Sequence, residues 1–398
     1  MTFHSSAFGR QTRNVFCMTA IALSLAACGG SNTPATQVAP TVVQAAPLAN
    51  QLYAQTNETA NSIVHLVRAA DGSISIKNRA ASGGTGLGGV KPGASAAVPN
   101  SLVSQNSVVI STDKTQLFAV NAGDASVSVF SIDQASGDLT LKKVTKTLGA
   151  TPTSLAYRNG FLYVMFQSGA NQVGAYAVQA DGALAQLGLY ALPLAATPTQ
   201  LVVSPDANFI VVSDGTSSNA VVSYPMNANG TLGSPIANTA SINTPFAGAF
   251  SSPTVYLSSD IAGKALASYT FSNAGALSLI GSVPSGEGAP CWLVVTPSGK
   301  YAYVGNGAGT ISSYAVAANG TLSLLNAKAA IEAGVLPGVN SVSGDSWVSA
   351  DGKFLYADYL GDDKIVAYSI GADGSIAKIN EQVIGTATKL SLQGLVGI

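Results

Sequence analysis

Short apolar runs separated by glycine-containing turns follow one another along most of this chain. Residues 290–296, 301–304 and 310–316 are such runs, and residues 297–300 and 305–309 form the turns between them. Short runs that are rich in Val, Tyr, Ile and Thr are typical of β-strands joined by hairpins. The pattern therefore predicts an all-β structure.

The same unit recurs seven times and is marked by a glycine that is followed two residues later by leucine or isoleucine. These glycines are Gly72, Gly137, Gly182, Gly230, Gly275, Gly320 and Gly374. A fixed period of this kind indicates units that each bury an apolar face against the next unit. Four strands in each of seven units predict a seven-bladed β-propeller.

The two ends of this repeat predict how the ring closes. Blade one begins at its second strand, near residues 52–55, with no suitable strand before it. The chain finishes with an apolar run, residues 394–398, that no later strand follows. We therefore expect this C-terminal strand to pair into blade one and to close the ring, which also removes open sheet edges.

The N-terminal residues predict export. Arg10 and Arg13 precede an apolar run, which is typical of a signal peptide over residues 1–27. The run ends in Leu-Ala-Ala-Cys28, which resembles a bacterial lipobox, where the cysteine is acylated and becomes the new N-terminus. An ordinary signal peptide with a chance cysteine is the alternative.

Lipidation would attach the protein to a membrane. Residues 28–50 would then be the lipidated Cys28 and a flexible tether, and residues 51–398 the propeller. Gly29, rather than an aspartate, follows the cysteine, which favours the periplasmic face of the outer membrane. The expected partners are this membrane and, at the propeller, one of three alternatives: a small molecule, a glycan or an envelope protein.

Composition narrows the remaining classes of function. Without Arg10 and Arg13 the chain has 16 basic against 19 acidic residues, and the absence of a basic stripe argues against nucleic acid as a partner. Cys291 is the only cysteine left beside the leader and Cys28, so no internal disulfide is expected. No cofactor and no metal site are predicted, although a calcium site near Asp362 and Asp363 stays open as the alternative to a solvated turn.

A glycine-rich insertion, residues 77–100, separates blades one and two. Gly84, Gly86 and Gly89 match the G-x-G-x-x-G pattern of dinucleotide-binding loops. That pattern requires a strand before it and a helix after it, and the sequence offers neither. We therefore interpret the insertion as a surface loop.

Three segments carry a resemblance to a known family. Residues 204–208, 296–306 and 349–356 each match a recurring Ser-Pro-Asp-Gly-Lys-x-Leu-Tyr-Val-x-Asn phrase. Over roughly residues 50–398 the chain thus resembles the seven-bladed lactonase-type propellers, which include 6-phosphogluconolactonase and the carboxy-muconate cyclases. The phrase is typical of the propeller rather than of one activity.

The enzymes of that family carry a more specific signature, Pro-Arg-His followed later by Asn-Glu, whose side chains polarise a lactone carbonyl and move a proton. Here the matching residues are Pro290-Cys291-Trp292 and Asn306-Gly307. The only histidine beyond the leader, His65, lies on a predicted outer-blade strand. The resemblance therefore predicts the propeller but not the family's lactonase chemistry.

Polar and aromatic residues at the predicted loop ends would surround the mouth of the central channel, and these are our candidate ligand contacts. They are Asn57, Asn121, Gln167, Asp214, Asp260, Cys291, Trp292, Asn306, Trp347, Asp358 and Tyr359. Asn and Asp also end strands in most β-proteins, tryptophans also pack blades together, and a lone cysteine is commonly a small buried residue. Both interpretations stay open.

Our leading hypothesis is an exported, lipid-anchored propeller that acts as a non-catalytic binding module. The alternative is a divergent lactonase that hydrolyses or forms a lactone in the channel, with Glu58, Glu287 or Asp345 as general base. A scaffold without a small ligand is the third hypothesis.

Overall fold

The computed structural model describes residues 48–170, 172–194, 197–215 and 218–398. The predicted signal peptide, Cys28 and most of the tether lie outside these residues. Across the described residues the regular secondary structure consists of β-strands. None of these residues belongs to a helix with the length and apolar character needed to span a membrane.

The strands form seven antiparallel sheets of four strands each, arranged as the blades of a propeller. Blade one contains β1 (Gln51–Thr56), β2 (Ser62–Arg68), β3 (Ile74–Ala81) and the last strand, β28 (Leu392–Gly397). Blade two contains β4 (Val108–Ile110), β5 (Gln116–Asn121), β6 (Ser126–Ile132) and β7 (Leu139–Lys146). Blade three contains β8 (Ala150–Arg158), β9 (Phe161–Ser168), β10 (Val173–Val178) and β11 (Leu184–Tyr190). Blade four contains β12 (Pro198–Val203), β13 (Phe209–Asp214), β14 (Ala220–Pro225) and β15 (Ile236–Asn238).

The remaining three blades follow the same order. Blade five contains β16 (Pro245–Ser252), β17 (Val255–Asp260), β18 (Ala265–Phe271) and β19 (Leu277–Pro284). Blade six contains β20 (Pro290–Val295), β21 (Tyr301–Asn306), β22 (Thr310–Val316) and β23 (Leu322–Ile331). Blade seven contains β24 (Ser343–Val348), β25 (Phe354–Tyr359), β26 (Lys364–Ile370) and β27 (Ile376–Val383).

Within each blade we call the strands inner, second, third and outer, counted from the channel. Each inner strand contacts the inner strand of the next blade. The second strands are almost wholly buried, as in β13, whereas the outer strands are largely exposed, as in β27. This gradient explains why the sequences of the second strands are continuous apolar runs, while outer strands such as β7 (Leu139–Lys146) contain lysines.

The ring closes as the sequence predicts. Strand β28 pairs antiparallel with β1, and Leu395 lies opposite Ala54 in this pairing. Because β28 is the inner strand of blade one, residues from the two ends of the described chain complete one sheet. The prediction that the C-terminal strand closes the ring is confirmed.

The repeat glycine lies at the contact between two blades as well as in a hairpin. Gly230 has a φ of 83°, and a Cβ atom there would lie 2.3 Å from the ring of Phe161 in blade three. Gly374 meets Tyr301 of blade six in the same way, at 2.4 Å. Glycine alone combines a positive φ with the absence of a side chain, so one residue satisfies both requirements.

Second-strand tyrosines bind these same glycines across the blade contacts. Their hydroxyls donate hydrogen bonds to glycine carbonyls of the next blade, in the pairs Tyr53–Gly137 at 2.7 Å, Tyr163–Gly230 at 3.1 Å, Tyr303–Gly374 at 3.1 Å and Tyr356–Gly72 at 2.9 Å. The tyrosine side chains are buried, and a buried hydroxyl needs a partner. Each pair therefore links two blades and satisfies a desolvated group.

One boundary differs from the sequence analysis. Residues 77–81, which we placed at the start of the glycine-rich insertion, belong to β3. They pair with β2, where Ser62 lies opposite Ala81. The segment between blades one and two therefore begins at residue 82 and reaches β4.

Deleting residues 390–398 should strongly destabilise the propeller. The deletion exposes the unpaired edge of β1 and removes the buried side chains of Leu392, Leu395 and Ile398. At roughly 2 kcal/mol for each buried aliphatic side chain, the loss approaches the whole free energy of unfolding of a typical domain. Thermal unfolding monitored by circular dichroism measures the effect. A nearly unchanged melting temperature would refute ring closure as a source of stability.

Candidate functional site

The loops that enter the inner strands and the loops that leave the second strands lie on one face of the propeller. The longest of them joins β3 to β4. Its first part lies on the loops of blades one and two, where the Gly86 amide donates to the Glu58 carbonyl at 2.8 Å and the Gly123 amide donates to Thr85 at 2.9 Å. A Cβ atom at Gly86 would lie 2.4 Å from the Glu58 carbonyl oxygen. The glycines of the G-x-G-x-x-G match therefore permit close backbone packing.

The second part of this loop, residues 101–106, crosses the central channel, and we call it the channel segment. The Ser104 hydroxyl donates to Thr153 of blade three at 2.8 Å. The Gln105 side chain donates to the Leu293 carbonyl of blade six at 2.8 Å and accepts from the Leu293 amide at 3.0 Å. Blades three and six lie on opposite sides of a seven-bladed ring. Adjacent residues that contact both must therefore pass through the middle.

Several predicted ligand contacts hold this segment in place. Asn57 donates to the Ser101 hydroxyl at 2.8 Å, and Gln167 donates to the Val103 carbonyl at 3.1 Å and to Leu102. The indole nitrogen of Trp292 donates to the Ser104 carbonyl at 3.2 Å. The mouth residues thus bind the protein's own chain.

Asp345 lies beneath the channel segment. Its Oδ2 atom accepts a hydrogen bond from the Asn106 amide at 3.0 Å, and the amide of Leu395 on β28 also donates to it. Burial raises the pKa of Asp345 to about 8. The carboxyl group therefore joins blade seven, the closing strand and the channel segment, and it keeps its proton at neutral pH.

Asp358 is a second buried acid beside Asp345. Burial and, next, the neighbouring Asp345 raise the pKa of Asp358 well above its usual range. Neither of its carboxylate oxygens has a hydrogen-bond partner among the described residues. Two adjacent buried carboxyl groups without a positively charged partner are most stable in the neutral form.

The two other predicted general bases hold loops. Glu58 accepts from the Ala387 amide at 2.8 Å and pairs with Arg79 at 3.2 Å. Glu287 accepts from the Thr310 hydroxyl at 2.9 Å and lies 3.6 Å from the Lys328 ammonium. A general base must reach the proton that it removes. Glu58 and Glu287 are engaged in loop contacts, and Asp345 is covered by the channel segment.

The remaining polar candidates satisfy strand and turn ends. Asn121 accepts from Asn61 at 2.9 Å, and Asn306 donates to Thr310 at 3.1 Å. The other three of this group are Asp214, which accepts from Ser218, Asp260, which accepts from the Gly263 amide, and Tyr359, which bonds the Tyr368 hydroxyl. Burial raises the pKa of Asp214 to about 6. The structure does not bring these side chains together around one open site.

Cys291 and Trp347 lie in the blade contacts. Burial raises the pKa of the Cys291 thiol to about 12, so the nucleophilic thiolate is not available at neutral pH. Trp347 stacks on Tyr356 at 5.8 Å between ring centroids and lies against Gly397 of blade one. Trp292 similarly contacts Phe246 of blade five at 5.1 Å.

His65 lies in the blade rather than in the channel. It is buried, its Nε2 atom lies 2.6 Å from the Gln51 side-chain oxygen, and its ring stacks on Tyr53 at 4.8 Å. Asp138 of blade two lies 3.3 Å from its Nδ1 atom. Burial is the largest effect and lowers the pKa of His65. The residue therefore packs blade one against blade two.

Asp362 and Asp363 do not form a solvated turn. Both are buried, and Asp362 accepts from the Val335 amide at 3.0 Å while Asp363 accepts from the Thr386 amide at 2.6 Å. These carboxylates fix the two loops that enter β24 and β28. Among the described residues no cluster of three or more acidic, histidine or cysteine side chains is arranged to hold a metal ion.

The residues that fill the channel had no predicted role. The predicted insertion ended at residue 100, and Leu102, Ser104 and Gln105 lie between it and β4. Leu102 is buried and Val103 has a φ of 50°, a conformation that β-branched residues rarely adopt. The adjacent apolar pair Leu102-Val103 in this loop is the available signal.

Replacing Gln105 with alanine should cost about 2 to 4 kcal/mol in the free energy of unfolding, because it leaves the buried amide and carbonyl of Leu293 without partners. Urea unfolding measures the loss. Gln134→Ala is the matched control, since the Gln134 side chain donates to Lys114 and Ile132 carbonyls near the surface. Equal stability of the two variants would show that the channel segment is loosely held.

The free energy of unfolding should fall as pH rises from about 5 to 8, by up to about 1.4 kcal/mol per pH unit for Asp345. The folded state keeps a proton on this residue that the unfolded state, with a pKa of about 3.9, has released. Asp345→Asn should remove this contribution and flatten the profile, whereas Asp181→Asn, at an exposed turn, should leave it unchanged. Urea unfolding at several pH values tests this, and parallel profiles for wild type and Asp345→Asn would contradict it.

Comparison with known proteins places these features in a family. The family model described as "Lactonase, 7-bladed beta-propeller" matches residues 94–188 and 234–388, which together make up more than half of the chain. A comparison with curated proteins finds no match.

Solved structures share the fold at low identity. A periplasmic gluconolactonase of Pseudomonas aeruginosa has 18% identity and a TM-score of 0.68 over 87% of this chain and 98% of that chain. A putative 6-phosphogluconolactonase of Bacteroides fragilis has 18% identity and a TM-score of 0.66 over 88% and 98%. A functionally unknown protein of Desulfotomaculum acetoxidans has 13% identity and a TM-score of 0.65 over 88% and 99%. The fold and the extent of the family match show that the chain belongs to the seven-bladed lactonase-type β-propellers.

Proposed function

We propose that this protein is a non-catalytic binding module of the cell envelope, built on a lactonase-type propeller. One observation carries the proposal: residues 101–106 occupy the channel and are held there from blades three, four and six. Besides the contacts to Thr153 and Leu293, the Gln105 amide donates to the Thr199 carbonyl at 3.0 Å. A substrate could reach the channel from this face only if these bonds broke.

The residues at the family's catalytic positions support the same conclusion. Cys291 and Trp292 replace the arginine and histidine, and Gly307 replaces the glutamate. Trp292 donates to the channel segment, and the Gly307 amide donates to the Ala289 carbonyl at 3.0 Å. These positions therefore support the loops rather than a lactone carbonyl.

The attachment to the envelope is part of the proposal. The lipobox-like sequence before Cys28 supports acylation there, and more than one acyl chain gives stable anchoring. A small molecule, a glycan or an envelope protein would be bound at the surface of the propeller. The face of the outer membrane toward the periplasm is the proposed site.

A divergent lactonase is the second candidate, because the chain belongs to the lactonase-type family and shares its fold with a gluconolactonase. Glu287 is the best placed of the three acids for this role, since it lies at the entrance to β20, whose first residue, Pro290, begins the segment that matches the family signature. Its carboxylate would have to leave Thr310 to take up a proton.

Lactone hydrolysis by the purified, membrane-extracted protein distinguishes the two candidates. We expect no turnover above background with a panel of sugar and aliphatic lactones and a pH-based readout, because no acid reaches an open channel. Saturable turnover that Glu287→Gln abolishes, with an unchanged melting temperature, would replace the binding module with the lactonase. Asp181→Asn provides the control for a carboxylate outside the mouth.

A further inference from the structure

A cavity of about 400 Å³ lies over blade seven, away from the channel segment. We call it the blade-seven cavity. It is lined by Val335, Leu336, Gly361, Asp362, Asp363, Lys364, Glu381, Val383, Gly385, Thr386 and Lys389. Its size is in the range of small-molecule sites.

Buried hydrogen bonds shape this cavity before any ligand enters. Asp362 accepts from the Val335 amide at 3.0 Å and from the Ser341 hydroxyl. Asp363 accepts from the Thr386 amide at 2.6 Å and from its hydroxyl at 2.8 Å. The loops on both sides are therefore fixed to one turn of blade seven. A rigid site of this kind loses little conformational entropy when a ligand binds.

The walls are apolar and unusually exposed. Val335 is 67% exposed and Val383 is 56% exposed, and both line the cavity with Leu336. Aliphatic side chains that converge on a concave surface favour an aliphatic ligand group between them.

The charged side chains at the floor of the cavity determine which charge the polar group of a ligand should carry. Lys364 is only 8% exposed and is already bound by Glu332 at 2.7 Å and Glu381 at 3.0 Å. Glu381 accepts from both Lys364 and Lys378 through its Oε2 atom. Its side chain is 40% exposed, and both lysine hydrogen bonds end on Oε2, so Oε1 remains as an acceptor on this lining residue. With Asp362, Asp363 and Glu381 against Lys364 and Lys389, the lining has a net charge of −1.

This arrangement distinguishes between kinds of cation. A guanidinium group prefers two parallel carboxylate oxygens, and Glu381 offers one. A quaternary ammonium group prefers an aromatic cage, and the cavity lining contains no aromatic side chain. An ammonium group, which is a compact donor, fits a single oxygen.

We propose that the blade-seven cavity binds a small aliphatic primary amine, with the ammonium on Glu381 and a branched apolar group between Val335 and Val383. This inference deepens the proposed binding role and rests on it. The amino-terminal residue of a peptide has this chemistry.

Three probes with the same isobutyl group and different charge test the proposal by calorimetry on the purified protein. They are leucinamide, leucine and 4-methylpentanoate. We expect leucinamide to bind with a Kd of about 1 mM or below, leucine more weakly, and 4-methylpentanoate not at all. No binding of leucinamide at 10-fold that concentration, or tighter binding of the anion, would overturn the proposal.

Two pairs of variants locate the probe. Glu381→Gln should weaken leucinamide binding about tenfold, whereas Asp124→Asn, in an ion pair of blade two, should not. Val383→Ala should weaken it about fivefold, whereas Leu325→Ala, on the outer strand of blade six, should not. Equal effects of a variant and its control would place the amine elsewhere.

Lys389→Ala provides a result that misfolding cannot imitate. Removing this ammonium should strengthen leucinamide binding about twofold, since the two positive charges repel each other. Weaker binding to this variant would contradict the assignment. Lactone turnover would refute the non-catalytic role, whereas a loss of leucinamide binding would refute the amine site alone, so the two proposals fail on different measurements.

Discussion

The tyrosine hydroxyl that reaches the repeat glycine of the next blade is the interaction on which the ring depends. Tyr163 donates to Gly230 at 3.1 Å, and the Phe161 ring occupies the space that a Cβ atom at this glycine would need. The blades of a propeller contact one another through apolar faces that do not by themselves fix a register. A directional bond to a backbone carbonyl does fix it, because it forms in one relative position only.

Much of the fold could be predicted from the sequence because strands and turns depend on neighbouring residues. Gly230 is recognisable as a turn residue from its place in the repeat, but its contact with Phe161 joins positions in different blades. The channel segment shows the same limit more strongly. Gln105 bonds to Leu293, 188 residues away, and no local pattern indicates such a pairing. The sequence indicated polar side chains at the mouth, but it did not indicate that the channel segment would bind them.

At the channel mouth, side chains of the kind that bind ligands in other proteins bind a segment of the protein's own chain. Asn57, Gln167 and Trp292 present donors toward the axis, as they would toward a substrate. These donors meet the Ser101 hydroxyl and the backbone carbonyls of residues 102, 103 and 104. Asp345 and Asp358 complete the interior as buried acids whose pKa values burial raises. The family fold is therefore retained while residues 101–106 occupy the centre of this face.

The positions of the contacting residues along the chain also determine the order in which the contacts can form during synthesis and folding. The channel segment is synthesised before every inner strand that it bonds, from Thr153 on β8 to Gln393 on β28, whose side chain accepts from the Leu102 amide at 3.4 Å. Its donors and acceptors must remain solvated until the last blade arrives. The edge of β1 likewise stays unpaired until β28 has been synthesised, because β28 is its partner. Closure of the ring and filling of its centre thus become one late, cooperative step of folding.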